Sequence, residues 1–202
     1  MDLLIIRHGE SEADILKVNE GRANFSLSDY GKEQAKLMAS WVASYTHIDK
    51  IISSSLIRAF QTAEILSKDT GIPVISDDSI QEWGNGLIAG LTFEEAKEKY
   101  PEPIKYPHTS VYEQESLIDF RARAEMALSK IIHEHPENST IAVVSHGGMI
   151  NMLFRAFLEL PVKTNISIST GDTGVHHWRI KESERKIVFL NKLSHLDGLV
   201  NT

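Results

Sequence analysis

The chain has no cysteine, no long hydrophobic run and no excess of basic residues. Without cysteine there can be no disulfide bond, no thiolate metal site and no cysteine nucleophile. The 21 lysines and arginines are outnumbered by 28 aspartates and glutamates, which gives a formal net charge of −7 at pH 7. Because no basic run offers a nucleic acid an electrostatic footprint, we expect no nucleic-acid partner. Any anion site must therefore be built from a few converging cations.

The amino-terminal residues carry an acid at position 2 and an apolar run of only four residues, which fits neither a signal peptide nor a membrane span. We therefore expect a cytoplasmic protein with no membrane partner. With 202 residues, 42% of them hydrophobic and 24% charged, the chain suits a single domain over 1–202. The acid-rich surface is compatible with a monomer or a homodimer.

Short apolar runs alternate with segments of helical periodicity along most of the chain. This alternation predicts an α/β fold, a three-layer α/β/α sandwich around a mixed, mostly parallel central sheet. The loop-like stretch with several glycines, together with the segment after it, is predicted as a small cap region around 77–115. The predicted strands are 3–6, 50–53, 74–75, 140–144, 174–180 and 186–190, and the predicted helices are about 29–45, 56–68, 93–100, 116–135 and 147–158.

Three of the predicted strands end directly before histidine or arginine motifs. Arg7 and His8 follow the first strand, Arg58 follows the second after a serine run, and His146 follows the strand at 140–144. In sheets of this kind the ligand site lies beyond the carboxyl ends of the strands, so these side chains should meet at one edge. Guanidinium groups match phosphate oxygens and helix N-termini attract anions, so the edge suits a tetrahedral dianion.

A histidine in such a place can attack phosphorus if its ring is neutral and correctly oriented. Neighbouring cations should lower the pKa of His8 and leave more of the free nitrogen at neutral pH. The leaving alkoxide needs a proton, and a carboxylic acid on a flexible edge can supply it. Glu82, in the glycine-containing loop, is the candidate acid, with an ordinary exposed loop carboxylate as the alternative interpretation.

The ordered set of motifs resembles the histidine phosphatase superfamily, which shares its fold with cofactor-dependent phosphoglycerate mutase. The resemblance covers nearly the whole chain and implies a phosphoglycerate mutase-like fold. An Arg-His-Gly triplet alone is weak, whereas five site residues in order, each at the end of a predicted element, are specific. The matching segments are 7–11, 21–27 with 31 and 34–35, 53–54 with 58 and 61–63, 82–92, 115–123, 145–148 and 171–175.

This resemblance implies a role for each candidate catalytic residue. His8 would be the nucleophile that forms a phosphohistidine, and Arg7 and Arg58 would clamp the phosphoryl group. His146 would be the second histidine of the phosphate pocket, and Glu82 would protonate the leaving group and then activate water. Since the family uses no metal for this step, we expect neither a metal nor a cofactor. The implied function is a metal-independent phosphatase, a hydrolase acting on small-molecule phosphate monoesters.

Two positions depart from the family pattern. Many members have asparagine where this chain has Asp14 and glutamine where it has Glu20, and these amides commonly help to hold the substrate. We include both residues, with Gly21, in the predicted substrate-binding set. If the two carboxylates are ionised beside a bound phosphate, they should weaken the binding of polyanions. We therefore expect a preference for esters whose leaving part is neutral or cationic.

Two other functions use the same residues. A cofactor-dependent phosphoglycerate mutase would return the phosphoryl group to a sugar acid instead of water, although the chain lacks recognisable equivalents of the additional mutase segments. An inactive phospholigand-binding protein would keep the pocket without turnover, although all five catalytic positions are filled. Stimulation by bisphosphoglycerate would favour the mutase, and turnover of p-nitrophenyl phosphate that His8→Ala abolishes would exclude the inactive protein.

Overall fold

Six strands of the computed structural model, which describes residues 1–104, 106–182 and 184–199, form one sheet. The strands are β1 (Asp2–Arg7), β2 (Lys50–Ser53), β3 (Val74–Ser76), β4 (Thr140–Ser145), β5 (Val175–Lys181) and β6 (Glu184–Lys192). Their order across the sheet is β3-β2-β4-β1-β5-β6. The first four strands in that order run parallel, and β5 and β6 are antiparallel to their neighbours. The predicted mixed, mostly parallel sheet is confirmed.

Helices cover both faces of this sheet. They are α1 (Glu12–Leu16), α2 (Asp29–Tyr45), α3 (Ile57–Thr70), α4 (Phe93–Lys99), α5 (Leu117–His133) and α6 (Gly147–Phe157). One apolar cluster joins the sheet to α2 and α3, and a second joins its opposite face to α5 and α6. The three-layer α/β/α sandwich is therefore confirmed. None of the helices within the described ranges combines the length and the apolar character needed to cross a bilayer.

The strand β1 shows why the sheet is central. Leu3 and Ile5 belong to the cluster under α5 and α6, while Leu4 and Ile6 belong to the cluster under α2 and α3. All four side chains are at most 1% exposed. Burying each of them contributes about 2 kcal/mol relative to leaving it in water. A strand buried on both faces has to read as a continuous apolar run, as this one does.

The strand register aligns the carboxyl ends of β1, β2 and β4, and the candidate site lies at these ends. Arg7 of β1 lies opposite Ser145 of β4, and Ser53 of β2 lies opposite Val144. The residues that follow these strands therefore emerge at the same edge of the sheet.

Several helix boundaries follow from local capping. The Ser28 hydroxyl accepts from the Gly31 N–H at the start of α2, and Thr92 with Glu95 forms the predicted capping box of α4. The short helix α1 was not predicted, because five residues carry no periodic pattern. Its capping box, from Ser11 to the residue three positions later, is the sequence signal that could have revealed it.

His176 on β5 is fully buried and neutral. The Asn191 N–H donates to its Nδ1 at 3.2 Å, so that nitrogen carries no proton. Its Nε2 is buried without a hydrogen-bond partner. Burial lowers the pKa of His176 from its ordinary 6.5 to about 4. Between these two values the unfolded chain binds the proton and the folded chain does not, so the fold loses stability as pH falls through this window.

We predict that His176→Gln flattens the acid side of the stability profile. Urea unfolding should show a smaller loss of unfolding free energy between pH 7 and pH 4.5 than the native chain shows, by up to about 3 kcal/mol for a shift of this size. His108→Gln, a change at an exposed histidine that forms no ion pair with a described residue, is the matched control and should leave the profile unchanged. Equal slopes for the native chain and His176→Gln would contradict the assignment.

Candidate active site

Four predicted catalytic side chains meet at the carboxyl edge of the sheet. Arg58 and His146 are fully buried and His8 is 2% exposed, while Arg7 is partly buried. The Arg58 Nε lies 3.2 Å from the His8 Nε2, and the two histidine ring centroids are 5.0 Å apart. Residues from β1, α3 and the start of α6 are thus brought into contact, as the sequence analysis predicted.

His8 is held in one tautomer. Its Nδ1 lies 2.7 Å from the Gly9 carbonyl oxygen, which accepts only from a protonated nitrogen, so the ring hydrogen is on Nδ1. Burial lowers the pKa of His8 well below its usual range, the positive charges of Arg58 and Arg7 lower it further, and the Gly9 hydrogen bond opposes them. The ring is therefore neutral, with an unprotonated Nε2 that faces Arg58.

A close turn fixes the backbone on either side of this ring. The His8 N–H donates to the Ser145 carbonyl at 3.0 Å, and the Thr173 N–H donates to the His8 carbonyl at 3.1 Å. A Cβ on the next residue, Gly9, would lie 2.5 Å from the Gly31 carbonyl oxygen at the start of α2. Only glycine lets the two segments approach so closely, which accounts for its place after the histidine.

Arg58, near the start of α3, is anchored by two backbone carbonyls from the segment that precedes α2. Its Nη1 donates to the Ala23 carbonyl at 3.1 Å and its Nη2 to the Gly21 carbonyl at 2.8 Å. Gly21, predicted to bind substrate, therefore contacts the arginine through its own carbonyl. Its φ of 50° lies in the left-handed region, and a Cβ there would overlap the Asn85 side chain. The position requires glycine for both reasons.

His146 caps α6 and leaves one ring nitrogen free. Its Nε2 lies 2.8 Å from the Ser54 hydroxyl, which accepts from the Leu56 N–H at 3.3 Å. Among the described residues no acceptor other than Nε2 is found for the hydroxyl hydrogen, so we assign the ring proton to Nδ1. That Nδ1 is buried and has no hydrogen-bond partner. Burial, followed by the charge of Arg58, lowers the pKa of His146 well below its usual range, so this ring is neutral too.

Arg7 also has one hydrogen-bond donor without an acceptor. Its Nη1 donates to the Thr170 carbonyl at 2.8 Å, and its Nη2 lies 3.1 Å from the Asp172 carboxylate. Its Nε is buried and has no hydrogen-bond partner. The pocket therefore contains two buried donors without acceptors, Arg7 Nε and His146 Nδ1.

Glu82 lies at the N-terminus of α6. Its carboxyl oxygens accept from the backbone N–H groups of Trp83 at 2.7 Å, Gly148 at 2.9 Å and Met149 at 3.1 Å. The positive end of the helix dipole favours a carboxylate at this place. The predicted acid is therefore a fixed group beside the second histidine motif and not a free loop side chain.

The loop that carries Glu82 is held by Arg123 of α5. The guanidinium donates to the carbonyl oxygens of Ser79 at 3.0 Å, Gln81 at 2.7 Å and Glu82 at 3.1 Å, and it pairs with Glu115 at 2.8 Å. Burial acts to raise the pKa of Glu115, but the hydrogen bond and charge of Arg123 outweigh it, and the pKa lies below its ordinary value. The segment that contains Glu115 and Arg123 resembles a family motif, but its positioning role was not predicted from the sequence.

The two predicted acidic substrate contacts occupy different places. Glu20 enters the pocket, with its Oε2 3.0 Å from Arg58 Nε and 3.9 Å from His8 Nε2. Asp14 is exposed, and its Oδ2 accepts from the Ser11 N–H at 2.9 Å as part of the α1 cap. The structure thus brings Glu20, and not Asp14, into contact with the candidate catalytic residues. Asp172, which pairs with Arg7, was not singled out by the sequence analysis.

An apolar cavity of about 510 Å³ lies next to Glu82. Trp83 and Gly148, whose N–H groups bind the Glu82 carboxylate, form part of its wall. The two histidines and two arginines of the pocket do not line it, so it is space beside the acid and not the anion pocket itself. Most of its other lining residues come from the segment 106–120. In the described ranges no cluster of three or more acidic or histidine side chains has the arrangement of a metal site.

Comparison with known proteins identifies the family. The model of the histidine phosphatase superfamily (branch 1) matches residues 3–193. The chain belongs to this superfamily. A phosphoserine phosphatase of Hydrogenobacter thermophilus is 32% identical over 199 residues, covering 96% of this chain and 93% of the relative. A broad-specificity phosphatase of Saccharomyces cerevisiae is 32% identical over 159 residues, covering 76% and 68%. These relatives support the predicted phosphatase activity.

Two solved structures share the fold of this superfamily member. A protein of Bacillus stearothermophilus matches with a TM-score of 0.85 at 24% identity, covering 96% of this chain and 98% of the other. A phosphoserine phosphatase variant of Entamoeba histolytica, solved in complex with phosphoserine, matches with a TM-score of 0.76 at 26% identity and covers 96% and 98%. The predicted phosphoglycerate mutase-like fold is confirmed.

We predict that two neighbouring glycines differ sharply in their tolerance of alanine. A Cβ at Gly148 would lie 2.4 Å from Glu82 Oε1, whereas a Cβ at Gly147 meets nothing closer than the Thr170 methyl at 3.8 Å. Gly148→Ala should displace the carboxylate and lower kcat/KM for an alkyl phosphate by about tenfold or more, as expected for about 1.4 kcal/mol of lost transition-state stabilisation.

Gly147→Ala is the matched control for this prediction and should change kcat/KM less than about threefold. Phosphate release gives the rates, and circular dichroism melting checks that both variants fold. Equal losses in the two variants would show that the Glu82 contact at Gly148 does not matter for turnover.

Proposed function

We propose that this protein is a metal-independent phosphatase of small-molecule phosphate monoesters, and that it works through a phosphohistidine on His8. The observation that carries the proposal is the unprotonated Nε2 of His8 inside a pocket with unsatisfied donors. Arg7 Nε and His146 Nδ1 are both buried and without a hydrogen-bond partner. A buried donor left unpaired costs about 1–3 kcal/mol, which a bound phosphoryl oxygen would recover.

The pocket would bind the transferring group chiefly through directed N–H donors and not through a net positive charge. Arg7 and Arg58 supply positive charge and directed N–H groups, which suit phosphate oxygens better than a flexible ammonium does. Arg58 is held in place by the carbonyls of Gly21 and Ala23, so its geometry is set before the ligand arrives. Donors fixed in advance stabilise the developing charge without reorganisation during the reaction.

In the first step the His8 Nε2 attacks phosphorus while the bond from phosphorus to the ester oxygen breaks. The Glu82 carboxyl group gives its proton to the departing alcohol oxygen. The Glu82 carboxylate takes up that proton from an ester that binds as its monoanion, since the second pKa of a phosphate monoester is about 6. The products are the free alcohol, a phosphohistidine and the Glu82 carboxylate.

In the second step Glu82 acts as the base. Its carboxylate takes a proton from water, the water oxygen attacks phosphorus, and the bond from phosphorus to His8 breaks. The three backbone N–H groups that donate to Glu82 suit the charged form required here. Inorganic phosphate leaves and the neutral imidazole is restored.

The segment 77–115 remains our proposed cap. Trp83, Tyr106 and other residues of this stretch line the apolar cavity beside Glu82, which gives the alcohol part of a larger ester a place to lie. Arg123 fixes the start of this stretch through carbonyls on residues 79, 81 and 82.

His8→Ala should abolish phosphate release from p-nitrophenyl phosphate, with a loss of about a thousandfold or more. The assay contains a chelator, since the mechanism uses no metal. His133→Ala, at a histidine on the last turn of α5, is the control and should retain full activity. Loss of native activity in chelator, or its survival in His8→Ala, would sink the proposal. Stimulation by bisphosphoglycerate would instead favour a mutase. Binding of phosphate without turnover would favour a binding protein.

Glu82→Gln should trap the intermediate. p-Nitrophenolate leaves without a proton, so the first step survives the substitution while the activation of water does not. Quenching in alkali should therefore recover more acid-labile phosphate on Glu82→Gln than on the native enzyme, and none on Glu82→Gln combined with His8→Ala. If Glu82→Gln and the native enzyme carry equal amounts of acid-labile phosphate, Glu82 is not the base.

A further inference from the structure

Both arginines of the proposed phosphoryl pocket are already paired with carboxylates. Arg58 Nε lies 3.0 Å from Glu20 Oε2, and Arg7 Nη2 lies 3.1 Å from Asp172 Oδ1. The N–H group at Arg58 Nε is shared between two acceptors, because His8 Nε2 lies 3.2 Å from the same nitrogen. The Glu20 carboxylate therefore occupies a place beside the nucleophile where an anionic ligand would also bind.

Neither carboxylate is needed to hold its arginine. Arg58 has the carbonyls of Gly21 and Ala23, and Arg7 has the carbonyl of Thr170. The Asp172 Oδ1 makes no aligned hydrogen bond despite its short distance to Arg7, so this pair is held by charge and not by direction. The two carboxylates thus set the charge of the pocket more than its shape.

The charges of the pocket leave no surplus for a dianion. The two arginines are balanced by Glu20 and Asp172, and both histidines are neutral, because burial lowers the pKa of each. The side chains of Glu20 and Asp172 are only 19% and 26% exposed, so water screens them poorly. Burial raises the pKa of both carboxyl groups, in line with their shortage of solvation. A phosphate group brings further negative charge next to them.

A cation on the substrate would offset this repulsion. Both carboxylates contact the guanidinium groups that would hold the phosphoryl oxygens, so in a bound ester they would lie one hydrogen-bonded shell away from phosphorus. An ammonium group two carbons from the ester oxygen reaches that shell. A charge-assisted hydrogen bond to a carboxylate contributes about 1.5–3 kcal/mol, which is enough to select one ester over a neutral one.

We propose that Glu20 and Asp172 make this pocket selective for phosphate esters whose alcohol part carries a protonated amine close to the ester oxygen. This inference rests on the proposed function, since it names the substrate class of the same site. It also amends the sequence expectation, which named Asp14 with Glu20 and admitted neutral leaving groups. Asp14 caps α1, and Asp172 takes the place beside the second arginine.

Three esters of equal length and different charge test the proposal in the native enzyme. They are 2-aminoethyl phosphate, propyl phosphate and phosphoglycolate, which end in an ammonium, a methyl and a carboxylate group. The expected order of kcat/KM is ammonium, methyl, carboxylate, with about tenfold between the first two. The assay contains a chelator, so that no metal ion can bridge the carboxylates to the phosphate.

Glu20→Gln and Asp172→Asn should each reduce the ratio of kcat/KM for 2-aminoethyl phosphate to that for propyl phosphate by about three- to tenfold. Each should also tighten competitive inhibition by inorganic phosphate, because one negative charge beside the arginines is removed. Glu12→Gln, at an exposed glutamate on α1, removes the same charge without contact to either arginine and should leave both quantities unchanged.

Equal kcat/KM for the three esters in the native enzyme overturns the inference, and this comparison needs no variant to fold. A ratio that neither Glu20→Gln nor Asp172→Asn changes also overturns it. In both cases the proposed function would still hold if hydrolysis of the esters depends on His8. Failure to hydrolyse any ester overturns the proposed function and this inference together.

Discussion

The hydrogen bond from His8 Nδ1 to the Gly9 carbonyl is the interaction on which the proposed chemistry of this protein depends. At 2.7 Å it fixes the ring hydrogen on one nitrogen and leaves the other bare. Burial and two positive charges keep the ring from taking up a second proton. The tautomer of a buried histidine is set by the hydrogen bonds of its ring nitrogens, so the proposed chemistry rests on a turn that presents the right carbonyl. That turn in turn rests on Gly9 and Gly31, which let β1 and α2 approach closely.

A second constraint is the strand register. Arg7 lies opposite Ser145, so the residues after β1 and β4 leave the sheet side by side. His8 and His146, far apart in sequence, are therefore held with their ring centroids 5.0 Å apart. The apolar clusters on the two faces of the sheet keep this register, because a slip by one residue would exchange the side chains that face α2 with those that face α5.

The pocket combines groups that favour an anion with groups that oppose one. Arg7, Arg58 and the N-terminus of α6 attract negative charge, while Glu20 and Asp172 already neutralise the guanidinium groups. Phosphatases need affinity for the transferring phosphoryl group more than for the free product, and resident carboxylates weaken the binding of inorganic phosphate as well. The same carboxylates that are proposed to narrow the substrate class would thus help the product to leave.

The fold was largely predictable, because its elements are set locally. The apolar run of β1, the Ser28 cap of α2 and the Thr92 capping box of α4 each predict their structure from a few neighbouring residues. The helix α1 was missed, since a single turn has no periodicity to read. The residues at strand ends were found for the same local reason, helped by the family resemblance of their motifs.

Apart from the meeting of the strand-end residues, the contacts between distant segments were not predictable. Nothing in the neighbourhood of Glu82 indicates that it binds the start of α6, and nothing near Arg123 indicates that it holds the Glu82 loop. In the sequence, Asp14 and Glu20 depart from the family pattern in the same way. Only the three-dimensional path of the chain shows that Glu20 contacts Arg58 and that Asp14 does not.

The sequence by itself determined which residue types stand at the strand ends and the order of the elements between them, because hydrophobic period and capping act over a few residues. The tertiary structure alone decided the tautomer of His8, the anchoring of Arg58 and the pairing of Asp172 with Arg7. These depend on distances between segments that only the packed sheet and its two helical layers bring together.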